Sequence, residues 1–258
     1  MATVRLFVTC LVDVFRPEVG RAAVTVLERH GDRVECPVEQ TCCGQFAFNA
    51  GYRQEAALLA KHFVEVFEGD TTPIVALSGS CAAMVVHHYP ELLREAVIEE
   101  RGSVKEAEGW AARAMAVGRE VVEFSQWLGQ GSPDSALGTV GRQRLALHQG
   151  CHMRRILEET RQPKELLEQQ GFEVVELEDS DQCCGFGGTY SMTEWRVSTA
   201  LADAKLKAFQ DAQAGGAAYL VSSDLGCLLH LAGRLRRLGA QDPTRHVAEV
   251  LAGEEDRP

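Results

Sequence analysis

Cysteine is the residue type in this chain whose number and spacing indicate chemistry. The 258 residues include nine cysteines, at Cys10, Cys36, Cys42, Cys43, Cys81, Cys151, Cys183, Cys184 and Cys227. Thiolates bind metal ions and metal–sulfur clusters, and they take part in redox reactions. The N-terminal residues do not resemble an export signal, and thiols inside cells are kept reduced. The cysteines therefore favour metal binding or redox chemistry over structural disulfides.

Eight of these cysteines form two matching sets. A shift of 141 residues places Cys10, Cys42, Cys43 and Gly44 on Cys151, Cys183, Cys184 and Gly185, and Cys81 corresponds to Cys227 after a slightly longer shift. This match predicts a duplicated unit and two similar half-molecules, residues 1–135 and 136–258. The Gly- and Ser-rich segment 129–141 is the predicted connection. Cys36 has no counterpart, and we interpret it as a small apolar residue of the core.

Strands and helices are predicted to alternate in both halves. Apolar runs predict strands over 4–9, 33–36 and 73–77, and again over 145–148, 173–177 and 217–222. Helical periodicity predicts helices over 17–31, 52–66, 163–170, 194–210 and 228–238, with Val197, Leu201, Ala204 and Ala208 as the buried stripe of the fourth. This order indicates an α/β fold of two pseudo-symmetric open parallel-sheet halves. Ligands of such sheets bind beyond the carboxyl ends of the strands, where Cys10, Cys81, Cys151 and Cys227 are expected.

Three kinds of chemistry are compatible with four cysteines in each half. An iron–sulfur cluster requires several thiolates around one inorganic core, and adjacent cysteines can direct their sulfurs to different irons. A structural zinc site also uses four thiolates, although its usual paired C-x₂₋₄-C spacing is absent from this sequence. Buried or redox-active thiols without a metal are the third alternative. We favour iron–sulfur clusters, because eight cysteines in register exceed what a core requires.

Composition limits the partners. The formal net charge is −11 and the sequence pI is about 5.2, so the chain is not expected to bind nucleic acid. No run of apolar residues is long enough to span a membrane, and we expect a cytoplasmic protein. The sequence contains no G-x-G-x-x-G fingerprint and no P-loop, so a nicotinamide, flavin or nucleotide site is not predicted.

The cysteine motifs resemble a known family. Cys42-Cys43-Gly44 and Cys183-Cys184-Gly185 are similar to the cysteine-rich CCG domains of iron–sulfur oxidoreductases, a group that includes heterodisulfide reductase. Longer strings resemble the lactate-utilization protein A (LutA/YkgE) family, namely FVTCLVDVFRPEVG, EQTCCGQFAFNAGY, SGSCAAM, QCCGFGGTYS and GCLLHLAGRLRR. The resemblance covers nearly the whole chain and implies a duplicated CCG domain.

The resemblance also implies a function. It implies a cytoplasmic iron–sulfur electron-transfer component of a system that oxidizes L-lactate, a 2-hydroxy acid, to pyruvate. The implied partners are a ferredoxin-like iron–sulfur protein and a third lactate-utilization subunit. Two alternatives stay open: a thiol–disulfide oxidoreductase similar to heterodisulfide reductase, and a zinc-binding structural or scaffold protein. No catalytic residue is assigned.

The chain departs from the wider CCG pattern at one position in each half. That pattern ends in C-x-x-C, whereas Ser78 precedes Cys81 and Asp224 precedes Cys227 at the position of the first cysteine. The five-cysteine clusters of heterodisulfide reductase therefore cannot be transferred to this chain. One or two four-cysteine clusters of the [4Fe-4S] type remain the expectation, with Asp224 as a further candidate ligand or as a helix N-cap. His152 and His230 each follow a candidate ligand, and we expect them beside the metal site or on the surface rather than on the metal.

Overall fold

The computed structural model describes residues 2–130 and 143–253. Residues 131–141 of the predicted connection, and the predicted boundary at 135/136, lie outside the described residues. The division of the chain at that boundary stays a prediction.

The described residues contain two parallel sheets of four strands each. The first sheet consists of β1 (Thr3–Phe7), β2 (Arg33–Glu35), β3 (Ile74–Ala76) and β4 (Val121–Glu123). The second consists of β5 (Arg144–Leu147), β6 (Glu173–Glu176), β7 (Ala217–Ser222) and β8 (Thr244–His246). The strand orders are β2-β1-β3-β4 and β6-β5-β7-β8, so the two halves share one topology. The predicted duplicated α/β fold is confirmed.

Helices cover both sheets. The first half contains α1 (Cys10–Phe15), α2 (Pro17–His30), α3 (Gln45–Asn49), α4 (Arg53–Phe67), α5 (Gly79–Ala83), a π-helical turn (Met84–His88), α6 (Tyr89–Arg101), α7 (Val104–Glu120) and α8 (Phe124–Gly129). The second contains α9 (Cys151–Arg155), α10 (Gln162–Gln169), α11 (Tyr190–Thr193), α12 (Trp195–Ala214), α13 (Leu225–Arg237) and α14 (Val247–Ala252). Each predicted strand overlaps an observed strand, and each predicted helix overlaps an observed helix.

Helix α2 forms as its sequence predicts. Pro17 occupies the first turn, where its missing N–H costs nothing, and Gly31 ends the helix in the left-handed conformation. The predicted face is buried, with Val19, Ala23 and Val26 among its residues.

The predicted stripe of α12 is wrong by about one position. Val197 is exposed, and the buried residues of this helix are Ser198, Ala202, Lys205, Leu206 and Phe209. Two of them are polar and are buried because they have partners. Ser198 Oγ donates to Gly185 O at 2.8 Å, and Lys205 Nζ donates to Asp179 O at 2.7 Å. These hydrogen bonds offset the cost of burying polar groups, which a hydrophobicity pattern cannot anticipate.

The halves are joined by a common core. One buried cluster combines apolar residues of both sheets with residues of α2, α8, α10 and α14. Helix α14 packs on α2, and α8 packs on α10, so the last helix of each half contacts the first long helix of the other. These helix contacts between the halves bring the carboxyl ends of the two sheets to the same region of the molecule.

Candidate metal centre

The first-half site comprises Cys10, Cys42, Cys43 and Cys81. Cys10 begins α1 directly after β1, and Cys81 lies in α5 directly after β3. Cys42 and Cys43 lie in the loop before α3. Cys10 Sγ is 3.5 Å from Cys42 Sγ, and Cys43 Sγ is 3.3 Å from Cys81 Sγ. Four thiols from three separate segments are thus brought together, as the sequence predicts.

Gly44 shapes the turn that carries the paired cysteines. Its φ is +81°, a conformation that residues with a side chain rarely adopt. This turn directs the Gly44 N–H to Cys42 Sγ at 3.4 Å. A backbone donor of this kind stabilises a thiolate, whether the thiolate is free or bound to a metal.

The second-half site comprises Cys151, Cys183, Cys184 and Cys227 and repeats this arrangement. Cys151 begins α9 after β5, and Cys227 lies in the first turn of α13 after β7. Cys184 Sγ is 3.0 Å from Cys227 Sγ. Gly185 has a φ of +91° and donates its N–H to Cys183 Sγ at 3.3 Å. Phe186 N donates to Cys184 Sγ at 3.5 Å, which adds a second backbone donor.

The pKa shifts of the thiol pair Cys10 and Cys42 have the same directions as those of the corresponding pair Cys151 and Cys183. The hydrogen bond from Cys10 lowers the pKa of Cys42, and the hydrogen bond from Cys151 lowers the pKa of Cys183. The partner thiols Cys10 and Cys151 have raised pKa values, because each donates to its neighbour and is partly buried. The first half thus contains one thiol with a lowered pKa, Cys42, whereas the second half contains two, because hydrogen bonding to Cys184 and His148 also lowers the pKa of Cys227 to about 7.

These donors fit a metal–sulfur group. All eight cysteines of the two sites are free thiols, and sulfurs converge from separate segments on one region in each half. Backbone N–H groups point at the sulfurs, as is usual around iron–sulfur clusters. Four thiolates suit a cluster and also suit zinc.

One cavity lies between the two sites and is lined by both halves. Seven of the eight site cysteines line it, all except Cys42. Across it, Phe46 meets Phe186 edge to face with ring centroids 5.8 Å apart, and Gln45 Nε2 is 3.3 Å from His152 Nε2. The two sites therefore face a common space rather than opposite sides of the molecule.

Asp224 lies at the boundary between the halves. Its Oδ1 accepts hydrogen bonds from Ser78 Oγ at 2.5 Å and from Ser80 N at 3.0 Å. Asp224 does occupy the N-cap position of α13, but within the described residues its side chain makes no capping bond to that helix. Its Oδ2 is buried without a hydrogen-bond partner in the described part of the chain, and Asp224 is one of the residues that line the cavity. Ligation by Asp224 stays a prediction.

Two of the histidines named from the sequence lie beside the second-half site. His152 Nδ1 is 3.5 Å from Cys151 Sγ, and His230 Nε2 is 3.2 Å from Ser198 Oγ. Sequence reasoning missed His148, which is only 2% exposed. One of its ring nitrogens belongs to a group with Cys184 Sγ and Cys227 Sγ whose atoms all lie within 4.8 Å of one another. The sequence did contain a signal for this residue, because His148 lies at the end of a predicted buried strand and only three residues before Cys151.

The interpretation of Cys36 is wrong. Cys36 is exposed, and its Sγ accepts a hydrogen bond from Gln40 Nε2 at 3.3 Å. β2 ends at Glu35, so Cys36 lies in the loop beyond this edge strand and not in the core.

None of the helices within 2–130 and 143–253 is both long and apolar enough to cross a membrane.

In structure, the chain is similar to a hypothetical protein from Helicobacter pylori, with a TM-score of 0.65 and 11% identity. The similarity covers 99% of this chain and 49% of that one, and it supports the fold alone.

The sequence comparisons identify the family. Residues 4–86 and 145–232 match the family described as CCG, the cysteine-rich domain, once in each half. Lactate utilization protein A of Halalkalibacterium halodurans is 39% identical, covering 98% of this chain and 97% of its own length. The protein of that name from Shouchella clausii is 40% identical, covering 98% and 99%. The one from Bacillus thuringiensis is 41% identical, covering 96% and 98%. The chain therefore belongs to the lactate utilization protein A family and carries two copies of the cysteine-rich CCG domain.

Proposed function

We propose that this chain is an iron–sulfur electron-transfer component of a system that oxidizes L-lactate to pyruvate. The observation that carries the proposal is the pair of four-thiol sites that face one cavity. The lactate part of the proposal is supported by the name of relatives that align over nearly their full length.

The residues of this chain have defined tasks in that function. The cysteines would hold one [4Fe-4S] cluster in each half, and such a cluster accepts and donates single electrons when bound. The N–H groups of Gly44, Gly185 and Phe186 stabilise negative charge on the sulfurs. Burial of Cys43, Cys81 and Cys184 keeps water away from part of each site.

The stoichiometry of lactate oxidation suits two sites. Conversion of a 2-hydroxy acid to a 2-oxo acid releases two electrons and two protons. Two one-electron sites on one chain can hold both electrons before they leave. The described residues carry no sequence motif for a flavin or nicotinamide, so we place the hydroxy acid on a partner. The proposed partners are a ferredoxin-like iron–sulfur protein and a third lactate-utilization subunit, all in the cytoplasm.

A second candidate is a thiol–disulfide oxidoreductase, and the shared cavity favours it. A disulfide in that cavity could approach thiols of both halves. The presence of Ser78 and Asp224 where related sites have a further cysteine weighs against it. A zinc-binding structural protein is the third candidate, because four thiolates also suit zinc.

Metal analysis separates these candidates. The full chain is purified without oxygen, and its iron, acid-labile sulfide and zinc are measured together with a visible spectrum. Equal amounts of iron and sulfide, near eight of each per chain for two cubane clusters, would support the proposal. Colourless protein with stoichiometric zinc, also after cluster reconstitution, would contradict it. Reduction of the loaded chain by lactate with its partners, but not by a thiol, would then exclude the second candidate.

A further inference from the structure

The two candidate sites differ in the residues that surround them. In the first half, Phe7 and Phe63 pack edge to face with ring centroids 4.8 Å apart. Both belong to the buried cluster that includes Cys43 and Cys81. Cys43 and Cys81 of the first-half site therefore share a buried apolar cluster with two phenyl rings.

Internal symmetry identifies the counterparts of these aromatic residues. The 141-residue shift that superimposes Cys10 on Cys151 places Phe7 on His148. On the long helices the shift is 142 residues, because Gly44 approaches Ala56 and Leu59 as Gly185 approaches Ser198 and Leu201. This shift places Phe63 on Lys205. The second half thus has a buried imidazole and a buried ammonium group where the first half has two phenyl rings.

His148 faces the sulfurs of the second-half site. It is buried just after β5, and neither ring nitrogen has a hydrogen bond of good geometry to another described residue. One ring nitrogen lies within 4.8 Å of Cys184 Sγ and Cys227 Sγ, and Cys227 has a pKa lowered by hydrogen bonding to Cys184 and, more weakly, to His148. Because a buried polar group without a partner costs free energy, we interpret these sulfurs as the partners of the imidazole.

Lys205 is also buried, and its Nζ donates to the carbonyl oxygen of Asp179 at 2.7 Å. This bond holds the loop that leads to Cys183 and Cys184. Burial lowers the pKa of Lys205, and the negative charge of a Cys184 thiolate acts against that shift. A negatively charged sulfur site would therefore favour the protonated amine.

From these contacts we propose that His148 and Lys205 raise the reduction potential of the second-half site above that of the first-half site. The inference rests on the proposed function, since it concerns clusters bound at both sites. With a cluster bound at each site, an electron that enters at the first-half site would move to the second: the first would be oxidised by one electron and the second reduced by one.

The direction follows from the charges. Reduction adds negative charge, which a nearby cation and hydrogen-bond donors to sulfur stabilise. Phe186 N adds one more donor to Cys184 Sγ, with no corresponding bond to Cys43 Sγ among the described residues. The carboxylate of Asp224 opposes these effects, although two donors, Ser78 Oγ and Ser80 N, stabilise its charge. The charges of Asp179 and Asp181 near Lys205 also oppose them, but Lys205 is the buried group of the three.

The test is a redox titration of the reconstituted full chain, followed by electron paramagnetic resonance without oxygen. We expect two midpoints. Cys42→Ser should retain the higher one and Cys183→Ser the lower one. Lys205→Met should shift the higher midpoint downward by at least a tenfold change in the oxidised-to-reduced ratio, about 59 mV for one electron. The lower midpoint should stay unchanged, and Lys205→Arg should restore most of the shift.

Lys207→Met is the matched control, since Lys207 is an exposed lysine of the same helix paired with Asp211. His148→Phe, which installs the first-half residue, tests the same direction if Lys205→Met does not fold. Two coincident midpoints, or midpoints that neither variant moves, would overturn this inference and leave the proposed function intact. A chain that binds no iron would contradict both.

Discussion

Ser78 Oγ donates a 2.5 Å hydrogen bond to Asp224 Oδ1, and these two residues occupy the same position in the two halves, three residues before Cys81 and Cys227. In this chain the two positions bind each other across the boundary between the halves, and neither adds a thiolate to its site. The contact therefore joins the segment that carries Cys81 to the segment that carries Cys227.

Loss of this contact should weaken the molecule. Ser78→Ala removes one of two donors to a buried carboxylate, which costs about 1–3 kcal/mol of unfolding free energy. Denaturant unfolding measures the loss, and Thr25→Ala, on α2 and away from this contact, is the control. Asp224→Asn and the double variant complete a mutant cycle. Additive effects would show that the two residues are not coupled.

Substitution of a single site cysteine should remove the metal of one half and leave that of the other. Cys42→Ser should remove the metal of the first-half site and Cys183→Ser that of the second, so each loses about half of the bound iron. Both should also lower stability, because metal binding is coupled to folding. The Cys36→Ser variant should keep all of the bound iron, since Cys36 is exposed and hydrogen-bonded to Gln40. If Cys36→Ser bleaches the protein, the ligand assignment is wrong.

The two CCG glycines should tolerate alanine unequally. Both have positive φ, but a Cβ on Gly185 would lie 2.4 Å from the backbone oxygen of Ser198, against 3.2 Å from that of Ala56 for Gly44. The oxygen of Ser198 belongs to α12 and cannot move freely. Gly185→Ala should therefore displace the Cys183–Cys184 turn and lose iron, whereas Gly44→Ala should lose less.

Gly31→Ala isolates the backbone contribution to these changes. Gly31 has a φ of +97° and open space around its Cβ position. We expect a loss of about 1–2 kcal/mol in unfolding free energy, the cost of a side chain in the left-handed conformation, and full metal content. The measurements are the iron content and the thermal unfolding of the three variants Gly31→Ala, Gly44→Ala and Gly185→Ala. Equal iron loss in Gly44→Ala and Gly185→Ala would contradict the steric argument.

Much of the site could be predicted because the cysteines repeat in register. Strand ends in a parallel sheet share one edge, so Cys10 and Cys81 meet without being neighbours in sequence. Four strands have only three residues, and the sequence analysis predicts β2 and β3 but not β4 and β8. The helices that follow the two missed strands, α8 and α14, join the halves and were also missed, since six residues are too few to show helical periodicity.

Buried polar residues are the other feature that could not be predicted from the sequence. Lysine is almost never fully buried without a partner, so periodicity assigns Lys205 to the solvent. Its partner is the carbonyl of Asp179, a residue with a positive φ of 53°, and only the folded loop places that carbonyl within reach. His148 is similar, because its neighbours Cys184 and Cys227 come from distant segments.

The buried carboxyl group of Glu123 should make stability depend on pH. Glu123 ends β4, and burial, assisted by the nearby Asp224 carboxylate, raises its pKa from 4.5 to about 7. Hydrogen bonds from Ser125 act in the opposite direction but do not cancel this effect. Its Oε1 has no hydrogen-bond partner in the described part of the chain, which is consistent with a protonated group.

The sign follows from proton binding. Between pH 4.5 and 7 the folded chain keeps the Glu123 proton while the unfolded chain has lost it. The unfolded state then binds fewer protons, so the free energy of unfolding falls as pH rises through this window, by about 3 kcal/mol in total. Glu123→Gln should remove this slope, whereas Glu28→Gln, on the exposed face of α2, should keep it. Denaturant unfolding from pH 4.5 to 8 measures the difference, and identical slopes for wild type and Glu123→Gln would show that Glu123 is ionised in the folded protein.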